Sequence, residues 1–272
     1  MNNPSWPGHL IEVSWLKENI GSPQLRIFDA TWFLPKADRC GAEEYQQEHL
    51  PGALHFDYDQ VFHNSASPFP RTFPDPIKFE AGLQDLGLNQ DDRVVVYDNN
   101  GLFSSPRAWW MLKAIGVSKV GLLNGGLQAW KKSGGLITNE PPSDFPKGNF
   151  KANLSENAFI GVDSVQKAIQ DKSVRIIDAR AQDRFEAAHM PNSDNLPYTD
   201  LLEEGRFRDP DALAEFFDER PLVCSCGSGV TACILAFGAT LAGHQNISVY
   251  DASWSQWGQD PTLPKEGQDI SP

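Results

Sequence analysis

One order of strands, helices and turns occurs twice along this 272-residue chain, and that repetition constrains the fold more than any other feature. The first copy runs through QLRIFDA (Gln24–Ala30), AEEYQQEHLPGALHFDYD (Ala42–Asp59) and RVVVYD (Arg93–Asp98). The second answers with SVRIIDA (Ser173–Ala179), DRFEAAHMPNSDNLPYTD (Asp183–Asp200) and PLVCSC (Pro221–Cys226). Beyond these, Ser105–Trp130 stands opposite Thr231–Trp257, each stretch ending in a strand, a turn and a tryptophan. Short apolar runs alternating with helical segments predict an α/β fold with two tandem domains, each a mainly parallel sheet flanked by helices. TNEPPSDFPKG (Thr138–Gly148) is rich in proline and polar residues and reads as the linker. The expected domains are therefore residues 1–137 and 149–272, joined by 138–148.

In parallel sheets of this kind, reactive residues collect outside the carboxyl ends of the strands. The second copy has LVCSCGSGVTA (Leu222–Ala232) there, a short strand ending at Cys226, a loop of Gly227, Ser228 and Gly229, and an apolar helix predicted over Val230–Leu241. Alternate glycines let the backbone turn tightly and direct several N–H groups at one point, and the unpaired amides of the following helix face the same point. Such a place stabilises an anionic sulfur, so Cys226 reads either as a reactive thiol or as a small buried side chain in an ordinary turn. In the first copy the matching position is Asp98, followed by NNGLFSSPR. A carboxylate cannot act as a sulfur nucleophile, so only the second domain can be active through this residue.

Composition excludes several classes. A net charge of −13 argues against nucleic acid as a partner, and an anionic substrate would need a local basic pocket. No apolar run is long enough to span a membrane, and the first residues lack a basic and apolar leader pattern. Three of the four cysteines, Cys224, Cys226 and Cys233, crowd one loop and helix rather than forming a disulfide framework, which is consistent with a cytoplasmic protein. A cysteine phosphatase would need an arginine where this loop has Val230, Thr231 and Ala232.

A strand ending in cysteine, followed by CGSGVTA, in the second of two tandem copies resembles the rhodanese superfamily, and within it the 3-mercaptopyruvate sulfurtransferases. EHLPGALHFD, SSPRAWWML, LLNGGLQAW, IIDARAQDRF and VYDASWSQW carry the resemblance across about Ile11–Trp257. It implies a sulfurtransferase that moves a sulfane sulfur from an anionic small-molecule donor, through a persulfide on Cys226, to cyanide or to a thiol acceptor such as a low-molecular-weight thiol or a thioredoxin-like protein. No metal or organic cofactor is implied.

The same resemblance makes Gly227, Ser228, Gly229, Val230 and Thr231 the persulfide loop. With Gly227 and Ser228 beside the cysteine in place of basic residues, it favours 3-mercaptopyruvate over thiosulfate. Arg184 matches a carboxylate-binding arginine, although a surface ion pair would equally suit the residue. Ser228 matches a serine of a proposed proton relay, or is a hydroxyl that satisfies a loop amide, and Asp59 matches the relay aspartate. The relay histidine position is occupied by Arg71, which cannot shuttle protons near neutral pH, and an insertion carrying a second carboxylate-binding arginine is missing after Phe185. Arg71 is therefore expected to supply that missing charge, with altered donor preference as the alternative. His55 and His63 lie near the Asp59 segment as substitutes for the relay histidine. Arg180 is read as a structural ion-pair residue or a second site arginine, His49 and His189 as caps, and Trp109, Trp110, Trp130 and Trp257 as core. Two further readings stay open: a thiosulfate sulfurtransferase, and a persulfide carrier or partner-binding module that does not turn over.

Overall fold

Runs of apolar residues form the buried central strands, which pair in parallel, with helical segments between them in the chain. The structure, a computed structural model, describes residues 5–142 and 145–268. Ser143 and Asp144, within the stretch expected to be the linker, and the first four and last four residues of the chain lie outside that range. In chain order the first half contains β1 (Leu10–Ile11), α1 (Val13–Asn19), β2 (Leu25–Asp29), α2 (Gly41–Gln47), β3 (Ala53–His55), α3 (Pro76–Asp85), β4 (Arg93–Tyr97), α4 (Ser105–Ala114), β5 (Val120–Leu123) and α5 (Gly126–Lys132). The second half begins with β6 (Phe159–Ile160), α6 (Val162–Gln170), β7 (Arg175–Asp178), α7 (Gln182–Ala187) and β8 (Ser193–Asn195). A 3-10 turn (Tyr198–Leu201), the short strands β9 (Leu202–Glu203) and β10 (Arg206–Phe207) and α8 (Pro210–Ala214) lead on to β11 (Leu222–Ser225), α9 (Ala232–Leu241), β12 (Ile247–Tyr250) and α10 (Ser253–Trp257).

The two five-stranded sheets have the orders β1-β5-β4-β2-β3 and β6-β12-β11-β7-β8, with parallel pairing throughout. Numbered within its own half, each sheet follows the same path, so the repeat seen in the sequence is a repeat of topology. The residues cluster into two compact units. The first holds the chain through Phe62, then Pro74–Leu154 and Glu204–Arg206; the second holds His63–Phe73, Ser155–Glu203 and Phe207 onward. Segment His63–Phe73 thus packs with the second unit although it lies between β3 and α3 in the chain.

Matched residues make matched contacts. His49 Nδ1 lies 2.6 Å from the Tyr45 carbonyl at the end of α2, and His189 Nδ1 lies 2.8 Å from the Phe185 carbonyl in α7. Each imidazole takes up a carbonyl in the last turn of its helix, which is the capping role read from the repeat. Trp130 and Trp257 are almost wholly buried, and their indole N–H groups donate to the Leu136 and Pro264 carbonyls at 2.7 and 2.9 Å. Trp109 and Trp110 are buried as well.

Asp98 is completely buried at the end of β4. Its carboxylate accepts hydrogen bonds from the amides of Asn100 (3.3 Å), Leu102 (2.9 Å), Ser104 (3.0 Å) and Ser105 (2.7 Å). In this unit, then, the turn after the central strand is an anion cradle closed by its own side chain. Replacing Asp98 with Ala should strand those donors, at roughly 1–3 kcal/mol for each one that water cannot reach. Urea unfolding of Asp98→Ala is expected to reveal a loss of about 3 kcal/mol or more; a loss below about 1 kcal/mol would show that the carboxylate does not hold the turn. By the same measurement Trp257→Ala, which empties a core position, should cost about 3–5 kcal/mol.

Candidate active site

Sheet order puts β11 between β7 and β12, with Ser225 in register with Asp178 and Cys224 with Val249. The chain leaving β11 therefore emerges at the middle of the carboxyl edge. The strand stops at Ser225 and the helix begins at Ala232, two residues later than the sequence pattern predicts, so all of Cys226–Thr231 is loop. The apolar run through Val230 mimics helix because Val230 is buried (3 % exposed) as loop. Gly229 adopts φ 77° there, a conformation that favours glycine.

Cys226 is only 2 % exposed. Its amide donates to Ser253 Oγ at 3.1 Å, and that hydroxyl donates to the Tyr250 carbonyl at 2.7 Å. The Cys226 and Gly227 carbonyls accept from the amides of Trp254 (3.0 Å) and Ser255 (2.8 Å), at the start of α10. Both carbonyl dipoles are thereby committed to α10, which takes their negative ends out of competition for the loop. No hydrogen bond among the described residues takes up the amides of Gly227, Ser228, Val230 or Thr231. This is the turn that Asp98 fills in the first unit, here with a thiol in place of the carboxylate and its donors open.

Arg184, exposed on α7, brings a terminal guanidinium nitrogen within 4.0 Å of where a side chain on Gly227 would begin. Among the described residues it makes no ion pair. Of the two readings of this arginine, the surface salt bridge is thus not the one found. Arg180 takes the other course. Its guanidinium pairs with buried Asp178 at 2.7 Å, donates to the Ala188 carbonyl at 2.8 Å and lies 4.3 Å over the ring of Trp254. It supports the residue whose amide holds the Cys226 carbonyl.

Arg71 belongs to the same unit as Cys226, and its Nη2 donates to Ser228 Oγ at 3.2 Å. Asp59 belongs to the first unit, where its carboxylate accepts from Gln60 Nε2 at 3.0 Å and lines, with His55, a cavity of about 290 Å³. His63 falls in the second unit. Cys224 and Cys233 are fully buried, and the Cys233 thiol donates to the Gly229 carbonyl at 3.3 Å. Burial, reinforced by the neighbouring thiols of Cys233 and Cys226, pushes the Cys224 pKa far above the ordinary thiol range, so this sulfur stays protonated. Among the described residues no group of three or more His, Cys, Asp or Glu is placed to share a metal ion.

The motif VYDASWSQW carries no local sign of the parts that Ser253 and Trp254 play. Ser253 takes φ 51°, rare for a residue with a side chain, and a local pattern contains no sign of it. No described helix is long and apolar enough to cross a membrane.

The rhodanese-like domain family matches residues 12–133 and 161–260. A 3-mercaptopyruvate sulfurtransferase of Escherichia coli K12 is 38 % identical over 274 residues, covering 94 % of this chain and 97 % of that protein. A thiosulfate sulfurtransferase of Cricetulus griseus is 36 % identical over 273 residues, with 91 % of each covered. The crystal structure of SseA from Escherichia coli superposes with a TM-score of 0.84 at 36 % identity, covering 93 % of this chain and all of that one. A doubled parallel sheet with the same strand path, one turn closed by Asp98 and the other open around Cys226, together with matches in both halves, makes this chain a member of the rhodanese family.

Proposed function

We propose that the chain is a sulfurtransferase that carries sulfur as a persulfide on Cys226, with 3-mercaptopyruvate as its preferred donor. The observation that carries the reading is the set of open amides of Gly227, Ser228, Val230 and Thr231 in the loop that begins at the buried thiol, with Arg184, which makes no ion pair among the described residues, beside it.

In the first half-reaction the Cys226 thiolate attacks the donor's sulfur. A sulfur–sulfur bond forms as the carbon–sulfur bond breaks, and the bonding pair leaves on carbon as the enolate of pyruvate. The donor's thiol proton ends on that carbon, so the products are a Cys226 persulfide anion and pyruvate. In the second half-reaction an acceptor thiolate, or cyanide, attacks the outer sulfur, and the Cys226 thiolate returns. Cys226 thus divides one difficult transfer into two easier ones. Charge stays on sulfur at the loop in both, so one set of amides serves each step. Arg184 suits the donor's carboxylate, which a guanidinium holds through two parallel hydrogen bonds.

A second reading has support in Arg71, a further cation beside Ser228. Two arginines near one thiol suit the dianion thiosulfate, which would leave as sulfite from the same attack. The acidic chain, net −13, repels anions over most of its surface, so these local cations are needed for either donor. The grouped cysteines favour a reducing compartment, and we place the reaction in the cytoplasm.

Intact mass after separate incubation with 3-mercaptopyruvate and thiosulfate tests the reading. A gain of one sulfur is expected with 3-mercaptopyruvate and should vanish in Cys226→Ser; no gain with either donor would remove the claim. Repeated turnover with a reducible thiol acceptor is also expected, whereas a carrier would load once and stop. Arg184→Ala should raise the apparent KM for 3-mercaptopyruvate by about 10-fold or more, the scale of a lost charge-assisted hydrogen bond of roughly 1.5–3 kcal/mol. An unchanged KM would exclude Arg184 as the carboxylate's partner.

A further inference from the structure

Arg71 is held in an unfavourable backbone conformation by a segment anchored on both sides within the second unit. Its φ of 58° lies in the left-handed region, where only the surrounding structure keeps a residue with a side chain. On one side the Phe73 amide donates to Asp251 Oδ2 at 2.6 Å, and the Phe73 ring packs 4.9 Å from Phe159. On the other, Phe69 packs against the second unit's core, and the Thr72 carbonyl accepts from the Asn64 amide at 2.9 Å. The strained residue is the one whose guanidinium reaches Ser228.

The polarity of that contact is not reversible. A guanidinium has five N–H donors, no acceptor and a charge that persists at all physiological pH. Ser228 Oγ must therefore accept, which uses one of its lone pairs and leaves its single hydrogen for another partner. Ser228 cannot pass that proton to residue 71, and none of the hydrogen bonds among the described residues takes it.

We propose that Arg71 is a positioning residue that acts through Ser228, fixing its hydroxyl as a one-way hydrogen-bond donor to the oxygen on which charge develops as the donor's carbon–sulfur bond breaks. For 3-mercaptopyruvate that atom is the enolate oxygen of the departing pyruvate. The inference rests on the sulfur-transfer reading above, and it separates the two arginines: Arg184 meets the donor directly, whereas Arg71 meets Ser228. The proton that reaches the product carbon is then the donor's own thiol proton, and Ser228 keeps its hydrogen throughout.

A double-mutant cycle on the rate of persulfide formation tests it, using Arg71→Gln, Ser228→Ala and the combined variant, with thermal melting to confirm folding. Each single substitution is expected to lower kcat by about 10-fold or more, in the direction of the larger losses seen when a transition-state donor is removed, with KM changed by less than about threefold. In the combined variant the losses should not multiply: adding Arg71→Gln to Ser228→Ala should cost less than about threefold further. Arg71→Lys, which keeps a charged donor, should recover most of the rate, and Arg71→Met, which removes the donor while keeping side-chain bulk, replaces Arg71→Gln in both backgrounds if that variant does not fold. Losses that multiply, or a raised KM at unchanged kcat, would overturn the assignment and make Arg71 a direct ligand of the donor. If the unsubstituted protein forms no persulfide with 3-mercaptopyruvate or thiosulfate, the sulfur-transfer reading fails and this inference fails with it. Turnover in the unsubstituted protein with multiplying losses removes only the role given to Arg71.

Discussion

Backbone amides gathered at the turn after the central strand are the constraint on which the rest of the molecule depends. A parallel sheet covered on both faces can bring such a turn to its edge only by leaving several N–H groups without ladder partners, and buried donors must be satisfied. The first unit answers with Asp98, whose carboxylate takes four amides. The second leaves its turn open around Cys226. In the first unit the protein itself supplies the anionic occupant permanently. This also explains why an acidic side chain, rather than a small apolar one, fits the first copy: a neutral residue would leave the cradle empty.

Holding a turn open requires support from outside it. The Cys226 and Gly227 carbonyls are bound to the first amides of α10, the Cys226 amide is bound to Ser253, and Arg180 braces Trp254 from below. Asp178, at the end of the adjacent strand, neutralises Arg180. The three arginines around this loop thus divide by partner. Arg180 pairs with Asp178, Arg71 donates to Ser228, and Arg184 makes no ion pair among the described residues.

Much of this was legible in the sequence because the repeat doubles every signal. Paired landmarks such as His49 with His189 and Trp130 with Trp257 identified the cores and caps, and Asp98 opposite Cys226 marked which copy could carry a thiolate. Local patterning failed where the determinant is a long-range contact. Val230 reads as helix because burial in a loop and burial in a helix demand the same residue type. The roles of Ser253 and Trp254 depend on the register of β12 beside β11, and their polar and aromatic side chains carry no mark of it. Arg180 and Arg184 lie on one short stretch, and only the positions of Asp178 and Trp254 show which of them is spent.

The placement of His63–Phe73 is the hardest feature to read from composition, since a proline-rich stretch between two first-unit elements suggests a surface loop of that unit. Its packing with the second unit has an electrostatic consequence. A chain with net charge −13 works against the approach of an anionic donor, and β11 with its loop, from Leu222 to Thr231, carries no basic residue of its own. Positive charge therefore has to be brought to the thiol from elsewhere in the chain, by α7 through Arg184 and by this segment through Arg71. A guanidinium delivered in that way adds positive charge beside the loop without adding a side chain to it, so the glycine-rich turn stays small while the surrounding field favours an anion.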